Sequence, residues 1–166
     1  MKHLKPEEII TNPFVEFKNN PALVTARKDQ RYNMCTIGWG TIGVLFSENV
    51  LIVYVKPKRF TDRFLQNDDY FTVTFLNENH KKDIALCGTK SGRKIDKCNI
   101  PTLKPIYLDN GITFEGFTRT YVLKKIYQGK LKKANFVDSD YIIDRYYKSE
   151  RPHNVYIGKI IDIIEQ

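Results

Sequence analysis

Three stretches of this sequence carry residue types whose spacing suits chemistry. The first is Asn33 to Phe46, NMCTIGWGTIGVLF, in which Thr36, Gly38, Gly40, Thr41 and Gly43 alternate with larger residues around Trp39, the only tryptophan. Glycine inside a strand-like segment marks a bulge or a place where another molecule comes close to the backbone. Such a wall suits a flat, mostly apolar ligand edged with carbonyls and ring nitrogens. Backbone N–H groups and a Thr hydroxyl would read that edge, with Trp39 and Met34 shielding it. The plainer alternative is a glycine-rich hairpin in which Trp39 is simply core.

The second stretch is Cys87 to Lys97, CGTKSGRKIDK. Gly92 lets the backbone bend so that N–H groups point outward, Ser91 offers a hydroxyl, and Arg93, Lys94 and Lys97 neutralise charge, which is what an anion-binding turn needs. The third is KPKRFT, Lys56 to Thr61, where a strand hands over to a helix, and a helix start attracts anions. Arg59 and Thr61 would share one phosphate with Ser91 if the two stretches meet. The alternatives are a solvated basic turn and an N-cap beside an unrelated surface arginine. His153, in PHNVY, suits a proton donor or a hydrogen bond to a ligand carbonyl, or else a structural role. No GxGxxG fingerprint, Walker lysine, HExxH or Ser-His-Asp signature is present. A Rossmann protein and the common hydrolases are thereby disfavoured.

The chain must position these stretches within 166 residues, the size of one domain over residues 1–166 with a real core. A 42% hydrophobic content with 13% aromatics is globular. No apolar run suits a membrane span, and MKHLKPEEII lacks the apolar region of a signal peptide, so a cytoplasmic location is expected. Cys35, Cys87 and Cys98 fit no paired disulfide framework or zinc motif; reduced thiols, buried and inert or redox-active, are the expectation. The net charge of +8 attracts anions without saying which.

The order of elements reads mostly as strands. Pro6 to Asn12 suits a short helix ended by Asn12-Pro13. Pro21 to Lys28 reads as a strand, Asp29 to Tyr32 as a turn, and the glycine-rich stretch as the returning arm. Val50 to Val55 is a β-branched strand stopped by Pro57, and Thr61 is placed as N-cap of a helix carrying Phe64 and Leu65. Phe71 to Leu76 alternates as a strand, and Glu78 to Leu86 is helical with Gly88 as its stop. A short strand near Ile106 to Leu108, a long strand or hairpin over Thr113 to Leu131, a helix over Ser139 to Lys148 and a last strand over Val155 to Ile164 complete the order. The fold class is mainly β, a barrel with short helices in its connections.

Taken together, NPALVTARKDQRYNMCTIGWGTIGVLF, VYVKPKRFTDRFLQNDDYFTVTFL, CGTKSGRKIDK and HNVYIGKI resemble, in order and over nearly the whole chain, the flavin reductase-like family of FMN-binding split barrels, and its flavoredoxin-like branch in particular. The resemblance implies a six-stranded Greek-key split barrel, a homodimer, and one FMN per subunit near the dimer interface. By matching positions, Asn33, Met34, Thr36, Gly38 and Trp39 would line the isoalloxazine ring. Arg59, Thr61, Ser91, Gly92, Arg93 and Lys97 would be near the phosphate, and His153 would face the flavin. The chain departs from the branch at Lys56, Lys94 and Lys159, where arginine, an acidic residue and glutamate are frequent. Arg and Lys are not equivalent in a bidentate phosphate contact, so Lys56 is the weakest carry-over.

In function, the resemblance implies an FMN-binding oxidoreductase that takes electrons from NAD(P)H or from a redox protein, with no residue assigned as catalytic acid or base. A non-enzymatic electron carrier is the neighbouring possibility. The competitor from another class is a basic β-barrel binding single-stranded nucleic acid on exposed aromatics. Against it, most Tyr and Phe residues sit in strand patterns that look like core.

Overall fold

The computed structural model describes residues 1–166, with the Ser139 side chain left aside. Its strands are β1 (Lys2–Leu4), β2 (Ala22–Lys28), β3 (Arg31–Ile37), β4 (Gly40–Leu45), β5 (Glu48–Val55), β6 (Tyr70–Leu76), β7 (Pro105–Leu108), β8 (Gly111–Phe114), β9 (Phe117–Lys130) and β10 (Asn154–Glu165). The helices are α1 (Pro13–Asn19), α2 (Thr61–Asn67), α3 (Lys81–Thr89) and a last one, α4 (Ser139–Ile142), continuing as a π-helix over Ile143–Tyr147.

One antiparallel eight-stranded sheet runs β3-β2-β6-β9-β10-β5-β4, with β1 added to β10. The β9–β10 ladder carries register shifts at Ile157/Gly158 and Ile160/Asp162. Such bulges bend a strand and increase its twist. The sheet therefore curls until β3 and β5 approach each other without forming a ladder. The six strands from β3 round to β5 form the barrel, and the seam between those two is its split. The expected mainly β split barrel with short helices in its connections is observed.

Inside the barrel, alternate positions of β5 (Leu51, Val53, Val55) meet Val24, Cys35, Phe71, Val73, Leu123 and Tyr156. A second core lies outside the wall, where α3 and the β7–β8 hairpin cover Leu23, Tyr32 and Met34 with Cys87, Leu103, Ile112 and Phe114. Strands β2 and β3 are thus buried on both faces. That is why their sequences lack the clean alternation of a one-sided strand. Burying a side chain such as Leu or Met contributes about 1.5–3 kcal/mol relative to exposure, so this outer core anchors the segment holding Ser91 to Lys97.

Several expected boundaries are corrected. Asn12-Pro13 starts a helix instead of ending one: the Asn12 side chain accepts the N–H of Phe14, and Pro13 takes the first helical position. Only a 3-10 turn, Pro6–Glu8, forms before it. The glycine-rich stretch is not one arm; its first half pairs with β2 and its second half with β5, turning a corner at Gly38–Trp39. Thr61 is not an N-cap, because Phe60 occupies that place and Thr61 is fully buried. Gly88 does not stop α3, which continues to Thr89; the glycine instead permits a close approach, since a Cβ there would lie 3.2 Å from the Cβ of Thr36. The expected strand or hairpin over Thr113 to Leu131 is divided between β8, which pairs with β7, and the long β9.

Candidate functional site

A cavity of about 220 Å³ opens at the seam of the barrel. Its walls are Cys35, Thr36 and Ile37 from β3, Gly38 and Trp39 at the corner, and Tyr54 and Val55 at the end of β5. Lys56 and Arg59 from the loop into α2, Tyr146 from the π-helix and His153 just before β10 complete them. At the corner Gly38 leaves open space where a Cβ would be, so nothing but its backbone borders the cavity there.

Aromatic rings hold the corner side. Trp39 lies tilted on His153 with ring centroids 4.8 Å apart, and Tyr146 meets Trp39 edge-on at 5.4 Å. Such pairs contribute about 0.5–1.5 kcal/mol beyond their buried area, enough to order a half-exposed tryptophan. Burial, then the nearby Lys56, push the His153 imidazole down to about 4, so it is neutral at pH 7. Its Nδ1 is 2.8 Å from the Tyr147 hydroxyl. A neutral ring favours the expected hydrogen bond to a ligand carbonyl over the expected proton donation.

The basic side is assembled through Asn33. In the amide orientation that satisfies its neighbours, the Asn33 oxygen accepts from the Thr61 hydroxyl at 2.7 Å and the Thr61 N–H at 3.2 Å. Gly92 packs against the same amide and against Phe60; a Cβ on Gly92 would come within 2.3 Å of the Asn33 side chain. Glycine is required here by proximity. Arg93 lies over the Phe60 ring at 5.2 Å and donates to the Lys58 carbonyl at 2.9 Å. The Ser91 hydroxyl oxygen accepts the N–H of Arg93, closing the turn. The two basic stretches therefore meet. Arg59 borders the cavity and has no carboxylate partner among the described residues.

Of the expected site residues, Thr36, Gly38, Trp39, Arg59 and His153 line the cavity. Asn33, Thr61, Gly92 and Arg93 form the linked group beside Arg59, and Ser91 closes its turn. The Thr36 hydroxyl donates its proton to the Ile84 carbonyl of α3, so towards a ligand edge it can only accept. Met34 does not shield the cavity; it is fully buried in the outer core. Lys97 is 3% exposed, and its ammonium donates to the carbonyls of Met34 and Cys87, both at 2.8 Å. Its basicity is lowered by burial. The cysteines are free, with Cys35 and Cys87 buried and their thiols pushed up, chiefly by burial. Neither has thiolate character.

The family model for the flavin reductase like domain matches residues 14–114. The chain belongs to the flavin reductase-like family. Among solved structures, it is similar to a flavoredoxin from Methanosarcina acetivorans at 17% identity and TM-score 0.70, over 89% of this chain and 68% of that one. It is similar to an FMN-binding protein from Thermus thermophilus with bound p-hydroxybenzaldehyde at 22% identity and TM-score 0.69, over 100% and 82% of the chains. It also resembles an NADH:FAD oxidoreductase from Streptomyces globisporus, solved with NAD and FAD fragments, at 13% identity and TM-score 0.66, over 89% and 74%. At these identities the likeness concerns the fold. No curated protein sequence matches.

Within this flavin reductase-like chain, sequence reasoning missed Ile37, Tyr54 and Tyr146 as cavity residues. Tyr54 was legible as the outward residue of the alternating VLIVYV strand, next to the basic loop. Tyr146 carried no signal, since it is one of several tyrosines in a segment whose docking is tertiary.

Proposed function

We propose that the seam cavity binds FMN and that the chain is a flavin-dependent oxidoreductase. One observation carries the reading: Arg59 borders the cavity without a carboxylate partner among the described residues, while the ring cluster of Trp39, Tyr146 and His153 lines the same cavity. That combination suits a ligand with a planar ring at one end and a phosphate at the other. Family membership supports a flavin. The basic turn beside Arg59 suits a phosphate, which the mononucleotide supplies.

When bound, the flavin supplies hydride acceptance and one- or two-electron release. The residues here do the rest. Arg59 and the Ser91–Arg93 turn hold the phosphate charge, Ile37, Gly38 and Trp39 orient the ring and exclude water, and neutral His153 offers a hydrogen bond to its edge. Hydride transfer from a nicotinamide needs no acid or base on the donor side.

Reduced nicotinamide or a redox protein is the proposed electron donor. A homodimer is the proposed assembly, supported by the edge strand β4 and the turn after it, where Val44 and Phe46 are 72% and 74% exposed; light scattering tests it. No helix is long and apolar enough to cross a membrane. The deciding experiment is the absorption spectrum of protein purified without added cofactor, repeated after adding FMN and desalting. Retained flavin bands support the reading. A colourless protein whose melting temperature does not move with FMN overturns it. Rapid stopped-flow bleaching of bound flavin by NADH or NADPH then distinguishes a reductase from a carrier fed by a protein.

A further inference from the structure

Tyr147 does not line the cavity, yet it is buried to 3% exposure directly behind a residue that does. Its hydroxyl is 2.8 Å from Nδ1 of His153 and makes no other hydrogen bond among the described residues. A buried hydroxyl places its proton on an acceptor, and Nδ1 is the one at hydrogen-bond distance. Burial keeps that phenol protonated, by raising its pKa. A neutral imidazole accepting at Nδ1 must carry its hydrogen on Nε2.

The neighbours leave the ring little freedom. Trp39 covers one side at 4.8 Å, and Phe136 packs on Tyr147 at 5.6 Å. Tyr147 ends the π-helical turn Ile143–Tyr147, in which Tyr146 reaches the cavity and the next residue reaches His153. Local π widening of this kind recurs at functional sites.

We propose that Tyr147 is a positioning residue that fixes His153 as the neutral Nε2–H tautomer, so that the ring presents one hydrogen-bond donor to the cavity. The group it recognises is then an acceptor, a carbonyl oxygen or an unprotonated ring nitrogen, and not a cation. Applied to a flavin, this rests on the reading of the cavity given above; the tautomer does not.

The test separates the two. Long-range proton–nitrogen NMR on the labelled, ligand-free protein reports the tautomer of each of the three histidines, with His153→Gln used for assignment. The expected result is an Nε2–H pattern for His153 at pH 7 that gives way to a tautomer mixture in Tyr147→Phe. An Nδ1–H pattern in the native protein, or an unchanged pattern in Tyr147→Phe, overturns the proposal. FMN titration gives the second readout: Tyr147→Phe weakens binding by about three- to tenfold, the size of one net hydrogen bond, and does so only when His153 is present. Equal weakening in the His153→Gln background overturns the positioning role. Failure of the native protein to bind FMN refutes the flavin reading and leaves the NMR result to decide the tautomer.

Discussion

Arg59 and Lys97 are both cations beside the same turn, and the fold uses them in opposite ways. Arg59 sits on the loop before α2, borders the cavity and has no carboxylate partner among the described residues. Lys97 sits under the turn, shut away from solvent, with its ammonium tying strand β3 to helix α3 through two carbonyls. Burying an ammonium is costly unless its hydrogen bonds are replaced, and here two are. Depth relative to the outer core, not charge, divides residues that can meet a ligand from residues that hold the wall in place.

Substitutions can break or sharpen that contrast. The largest effect is expected for Lys97→Met, which leaves the Met34 and Cys87 carbonyls without their donor. Stability should fall by about 2–4 kcal/mol in urea unfolding, while FMN affinity of the folded fraction changes little. Arg59→Ala should do the reverse. Losing one charge-assisted contact to phosphate, about 1.5–3 kcal/mol, weakens FMN roughly 10- to 150-fold by titration with an unchanged melting temperature. If both variants lose binding alike, the contrast is wrong.

Gly92→Ala falls between them. Its Cβ would press on the Asn33 amide, which the Thr61 contacts hold in place, so the turn must shift. A cost of about 1–3 kcal/mol is expected, with binding and stability lost together.

The ring side gives a pH test. His153 is lowered from 6.5 to about 4 in the folded protein, so below pH 6.5 the unfolded chain takes up the proton more readily. Its contribution to stability is complete above pH 6.5 and is lost as pH falls towards 4. Denaturation midpoints measured across that window should decline less steeply in His153→Gln than in the native protein. The smallest effect is expected for Glu150→Gln, although Glu150 pairs with both Lys56 and Lys58. Exposed ion pairs contribute little, and the melting midpoint should stay within about 2 °C.

Local chemistry made much of the barrel legible. The β-branched run VLIVYV, the alternating FTVTFL and the apolar VYIGKIIDII are strands because their side chains suit a pleated surface, and all three are barrel strands here. Asn12-Pro13 misled because the same dipeptide can close one helix or open the next, and the next was stabilised by Phe17 entering the core. Gly88 looked like a stop because glycine ends many helices, but the contact requiring it comes from Thr36 on another strand. Met34 was drawn into the expected ligand wall, and the hold of α3 on the Thr36 proton was missed, because the sequence does not show that β3 has covering on both faces.

Composition and pattern by themselves determined the mainly β class, the basic character and the residue types grouped at the wall, the turn and the late histidine. These depend on periodicity and on side-chain chemistry, which act over a few residues. Only the tertiary structure decided that the Ser91 turn meets Arg59 across Gly92 and Asn33, that Lys97 faces inward, and that Tyr146 and Tyr147 close on Trp39 and His153. Those outcomes depend on how far the sheet curls and which face each strand covers, and contacts between distant segments fix both.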